Sequence, residues 1–201
     1  MFDPQNKFWL AVARVGDVLG LSICWFFCSL PLFTLGAATA ALYDAAVHCV
    51  RGRAQGPYGR FFRAFRDNFR PACLITLLFL GTELLLSASL LVSYTMAAGG
   101  SRLAAVLTAA DRVFLCVPLA IWLMAMPLLS RFSFGARDLL LTAARLSARH
   151  LPTAAGLTVL VLLCALVIRL LVLPMVFLPA AAALAASLPL EKLFARYQNG
   201  G

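Results

Sequence analysis

Charge is what this sequence has least of. Of its 201 residues only 12% are Asp, Glu, Lys or Arg, and the acids number eight. A soluble domain of this length needs polar surface to solvate its exterior, so an ordinary water-soluble enzyme is a poor fit. Histidine is nearly absent too, with His48 and His150 alone. That leaves little material for a Ser/His/Asp triad or a His-rich metal site. There is no G-x-x-x-x-G-K-[ST], no G-x-S-x-G and no H-E-x-x-H, so the usual signatures of ATP binding, acyl transfer and zinc proteolysis are missing. No C-x-x-C occurs, and Cys24, Cys28, Cys49, Cys73, Cys116 and Cys164 lie in or beside apolar runs, where thiols serve as small hydrophobes. The sequence implies neither a cofactor nor a metal, and the N-terminus lacks the cleavage site of a signal peptide.

What is present is apolar residue, 63% of the chain with a mean hydropathy of +0.93. This excludes intrinsic disorder and leaves a polytopic membrane protein. The expected fold is all-α, a single transmembrane bundle over 1–201. Spans of about 20 residues are read at about 15–35, 72–98, 113–129, 153–173 and 174–190. Pro31 lies inside the first run and should kink or end the helix near Leu30. Residues 36–50 form an ambiguous helix rich in Gly and Ala. It reads as a half-span, a re-entrant helix or a kinked continuation. Pro118 and Pro127 should bend the third span, and Gly99–Gly100 should close the second.

The net charge of +9 comes from 17 Lys and Arg against the eight acids. Its distribution signals orientation and argues against nucleic acid as a partner. Twelve cations fall in 51–70, 131–149 and the C-terminal tail, all on one side of the expected topology, against Arg102, Arg112 and Arg169 on the other. The larger set belongs in the cytoplasm. If 15–50 makes a hairpin, Lys7 and Arg14 join it. Arg169 lies near a span end and can snorkel to the interface.

Two segments read as interfacial helices, 58–70 and 137–150. In the first, Phe61, Phe62, Phe65 and Phe69 share one helical face, and Arg60, Arg63, Arg66 and Arg70 share another. Such a helix lies among membrane lipids, Phe toward acyl chains and Arg toward phosphates, or docks its aromatic face on a partner. In the second, Asp138, Thr142, Arg145 and Arg149 form one polar stripe, and His150 stands beside Pro152 at a span entrance.

Acids inside spans are costly unless paired, and so mark candidate sites. Glu83 sits near the middle of the second span, on a stripe with Thr76, Ser87 and Tyr94. Asp44 is the other. Each can serve as a proton or substrate site, or as an interhelical hydrogen bond that fixes packing.

The stretch WFFCSLPLFTLGAATAALYDAAVHCVRGR resembles the signature of the YesL family of bacterial membrane proteins. Ser29, Leu30, Pro31, Thr34, Gly36, Ala37, Leu42, Tyr43 and Arg51 carry the likeness, followed by the Phe- and Arg-rich FFRAFRDNFRPA. The resemblance implies a bacterial inner-membrane protein of unestablished activity, associated with carbohydrate uptake and with carbohydrate ABC transporter subunits as partners. It implies Thr34, Gly36 and Tyr43 as functional positions and brings no catalytic residue. The expected role is a non-catalytic accessory or scaffold component. The alternative is a small-solute carrier using the broken first helix and Glu83. An intramembrane enzyme would need clustered polar groups.

Overall fold

The computed structural model describes residues 7–51, 56–132, 135–170 and 178–198. Among them there are eight α-helices and no strand. These are α1 (Lys7–Ser29), α2 (Leu35–Ala45), α3 (Pro57–Asp67), α4 (Phe69–Ala98), α5 (Arg102–Arg131), α6 (Ala136–Arg149), α7 (Leu151–Leu170) and α8 (Leu178–Gln198). The side chains of Lys7, Arg51, Arg169, Lys192 and Arg196, all of Arg53, and the start of the expected fifth span at 174–177 lie outside what is described.

The first apolar run does not continue to residue 35. α1 ends at Ser29, because Pro31 disfavours helical geometry in its predecessor and removes a donor. A single 3₁₀ turn, Leu32–Thr34, leads into α2, and a π-helical turn, Ala46–Arg51, follows it. Trp25 Nε1 donates to Thr39 Oγ1 across the break, 3.2 Å away. Leu21 packs in one cluster with Ala41, Leu42 and Ala45. That register makes α1 and α2 an antiparallel hairpin.

The ambiguous segment 36–50 proves to be the centre of the molecule. Gly36–Ala38 and Ala40–Ala45 are all buried. Small side chains let neighbouring backbones approach closely. A Cβ on Gly36 would meet Thr76 Oγ1 at 2.1 Å, Ala72 O at 3.0 Å and Met126 Sδ at 3.1 Å. Those contacts put the start of α2 beside the first two turns of α4 and the last two of α5, so the hairpin tip lies inside the length of the bundle.

Among the described residues, three helical segments are long and apolar enough to cross a membrane: Leu32–Val50, Phe69–Ala98 and Arg102–Arg131. A fourth arises if the bent pair α6 and α7 is one span. This is fewer than the five read from hydropathy. α6 and α7 meet at 102° at His150, the boundary between the expected helix 137–150 and the expected span from 153, where the proline at 152 favours a new helix start. The apolar part of the last helix, Leu178–Glu191, stops short of a full span. The second span holds, starting three residues early at Phe69. The third, read from 113, begins at Arg102 and continues through Pro118 and Pro127 as one helix. Its acid is accommodated. Ser93 Oγ donates to Asp111 Oδ2 at 2.7 Å, with Ser89 Oγ at 3.3 Å. At the turn between α4 and α5, Gly100 takes φ 88°, and Ser101 caps α5 by accepting from Ala104 N.

The two expected interfacial helices pack more deeply than a surface anchor would. Leu139, Ala143, Leu146 and Ser147 of α6 are buried at helical spacing, while Asp138, Arg145 and Arg149 face outward. In α3, Phe61 is fully buried against Leu21, Ala41 and Ala45 instead of facing lipid.

Candidate functional site

An ionised carboxylate in an apolar helix has to find a cation or stay neutral. Asp44, on the last turn of α2 with its side chain 8% exposed, has a cation from α3. Arg60 Nε donates to Asp44 Oδ2 at 2.6 Å and Arg60 Nη2 to Oδ1 at 3.1 Å, the two-pronged fit of guanidinium to carboxylate. His48, one turn on, places Nδ1 3.0 Å from the same carboxylate and 3.0 Å from the Asp44 carbonyl. The hydrogen bond to Asp44 raises the Arg60 pKa above its ordinary value, so the guanidinium stays charged throughout.

This pair forms the root of a cleft of about 560 Å3, whose polar wall includes Arg63, Asp67, Asn68 and Ser130. The cleft presents both signs of charge on one rim. Nothing in it resembles a nucleophile with a base, since Ser130 Oγ is engaged with the Pro127 carbonyl at 2.7 Å. Among the described residues no group of three His, Cys, Asp or Glu could hold a metal ion. The arrangement suits binding of a charged partner segment.

Next to Asp44, Tyr43 turns to the other side of α2. Its hydroxyl donates to Glu191 Oε1 at 3.1 Å, and Glu191 Oε2 is paired with Arg131 Nη2. One residue pair therefore ties α2 to α3 on one side and to α5 and α8 on the other.

The remaining expected site residues do not join this cluster. The Thr34 hydroxyl is shared between the carbonyls of Cys28 at 2.6 Å and Pro31 at 2.7 Å, acceptors freed by the helix break. Gly36 is a packing position. Glu83 is half-buried, with Oε1 enclosed and without a partner, and it lines neither the Asp44 cleft nor the apolar cavity beside Phe79 and Trp122. Of the aromatic face, Phe61 and Phe65 stack at 6.4 Å toward the protein, and Phe65 meets Phe69 edge-on at 5.6 Å. Phe62 and Phe69 are exposed, as are Arg63, Arg66 and Arg70. Tyr58, on the first turn of α3, reaches α1 at Gly20, and burial raises its phenol pKa.

Sequence reasoning missed Glu191, Arg131 and the Ser89–Ser93–Asp111 group. The Tyr43 to Glu191 bond joins positions 148 apart, and no local pattern encodes such a pairing. The signal available was a lone acid at the end of an Ala-rich helix, Glu191.

Residues 18–90 match the model of a family described as a protein of unknown function, DUF624, which is the YesL-type family. The matched stretch runs from α1 into α4 and contains the hairpin, α3 and the Asp44–Arg60 pair. No curated protein and no solved structure matches the chain.

Proposed function

We propose that this chain is a non-catalytic accessory component of a bacterial inner membrane, offering a cytoplasmic docking surface at the basic end of its bundle. The observation that carries this reading is the Asp44–Arg60 pair. It draws the first arginine of α3 inward and leaves Phe62, Arg63 and Arg66 facing out on a helix clamped by Phe61. A helix held this way is a preformed surface, and preorganisation favours recognition of a partner over loose adsorption to lipid. The excess of cations at this end supports a cytoplasmic location by the positive-inside rule. The partner class, a carbohydrate importer subunit, rests on the family resemblance.

The carrier reading loses support from the same geometry. A carrier of that kind needs a polar cavity joining Thr34, Asp44 and Glu83, whereas Thr34 and Asp44 are engaged in separate local bonds and Glu83 does not line the Asp44 cleft. Purification of the tagged chain in mild detergent tests the proposal. Importer subunits should co-purify, and Arg63→Glu with Arg66→Glu should release them without unfolding the bundle. Recovery of the chain alone across several detergents would overturn the proposal. Sugar flux in liposomes holding the chain alone would favour the carrier.

A further inference from the structure

A half-open apolar cavity of about 330 Å3 lies between α1, α2, α4, α5, α7 and α8. Its lining combines the large rings of Trp25, Phe79 and Trp122 with the small side chains of Ala182, Ala183 and Ala186 on α8, which leave space unfilled. Phe79 and Trp122 stack at 5.2 Å and form a flat wall. Apart from the weakly donating thiol of Cys164, every donor lining the cavity is already engaged. Trp25 Nε1 binds Thr39, Thr39 Oγ1 binds the Leu35 carbonyl, Trp122 Nε1 binds Thr76, and Tyr43 binds Glu191. A sugar entering here would bury hydroxyls without partners, which is strongly unfavourable.

The depth of the cavity identifies a better occupant. Its lining residues on α4, α5 and α7 lie about 6 to 21 Å along each helix from the basic end, at 1.5 Å per residue. That range falls within a hydrocarbon core about 30 Å thick, where alkyl chains are the solvent. An apolar void of about 150 Å3 already stays dry and accepts benzene. This one is about twice that size, and left empty its walls would lose dispersion contacts over their whole area.

We propose that the cavity holds one acyl chain of a bilayer phospholipid as a bound, structural ligand. The proposal does not depend on the docking function. The intact chain, reconstituted in phosphatidylethanolamine and phosphatidylglycerol vesicles doped with a phospholipid carrying a mid-chain diazirine, is photolysed and its adducts mapped by mass spectrometry. Trp122 is 6% exposed and lines this cavity alone, whereas Leu84 and Leu85 of α4 report outer lipid. Adducts are expected at Trp122 as well as at Leu84 and Leu85. Adducts at Leu84 and Leu85 without one at Trp122 would overturn the proposal, and this arm needs no variant. Ala186→Phe should abolish the interior adducts and leave the α4 adducts unchanged. Interior adducts that persist at wild-type level in that folded variant would also overturn it.

Discussion

Two segments of this bundle solve the membrane problem in opposite ways. In Leu32–Val50 the most apolar 18-residue stretch is 72% buried inside the protein, and each charged or phenolic side chain on α2 has a named partner. The corresponding stretch of α4 is only 11% buried, and that helix presents Leu77, Leu78, Leu84, Leu85, Leu91 and Val92 outward. One segment is specified by pairings, the other by solvent matching, in which any apolar side chain serves. The difference teaches where substitutions will be felt, and it sets the order of the effects below.

The largest effect should come from Gly36→Leu. The nearest obstacle is Thr76 Oγ1, which cannot swing aside cheaply because it donates to the Ala72 carbonyl at 2.7 Å and accepts from Trp122. Overpacking of this kind costs about 1–3 kcal/mol, and here the backbone of α4 is a further barrier. Gly81→Leu, where a new Cβ meets nothing within 4 Å, should change little. Unfolding by SDS titration in mixed micelles compares the two. Equal losses would erase the contrast between the two segments.

Asp44→Asn comes next. It removes the charge from a two-pronged bond whose acid is buried and whose Arg60 partner is 40% exposed. A hydrogen bond to a charged group contributes about 1.5–3 kcal/mol, and water available to Arg60 should keep the loss near the lower value. Adding Arg60→Leu to that variant should recover part of the loss, because it removes the unpaired cation. A double-mutant cycle measures the recovery. Additive losses would mean that the pair does not clamp α3.

Tyr43→Phe deletes one donor to the Glu191 carboxylate and should cost about 1.5 kcal/mol in the same assay, the low end for a bond to a charged group, because Glu191 keeps Arg131 as its partner. Glu83→Gln should be the smallest change, neutral or slightly stabilising, because the carboxylate has no partner to lose and the amide is easier to hold in an apolar phase. A loss as large as that of Asp44→Asn would reveal an interaction at Glu83 and blur the distinction between the two acids.

The sequence showed the helical class, the break near Leu30, the second span and the two amphipathic helices, because each is written in local periodicity or in one proline. It did not show that the Ala-rich stretch after Gly36 would be buried on every side. Small residues carry no amphipathic signature, so a central helix and a weak span read alike. The break at His150 was legible from Pro152, but its angle of 102° was not, since no local pattern sets how two helices cross. At the site, Asp44 was visible as an acid in an apolar run and Arg60 as part of a cationic face. Their pairing depends on how α3 folds back over α2, which spacing alone does not give. Arg131 was counted only as an orientation charge, although it holds the acid that anchors Tyr43.

The proposed topology has the hairpin enter the bilayer from the basic end and return to it, with its tip in hydrocarbon. Leu30, Leu32 and Phe33 at that tip are 61%, 67% and 45% exposed, as side chains facing lipid should be. Single cysteines placed in a cysteine-free background and probed from each side of the membrane with an impermeant maleimide test this directly. Ala13→Cys and Gly59→Cys should label from one side, Gly100→Cys from the other, and Leu32→Cys from neither. Labelling of Leu32→Cys from the Gly100 side would make α1 a complete span and contradict the account.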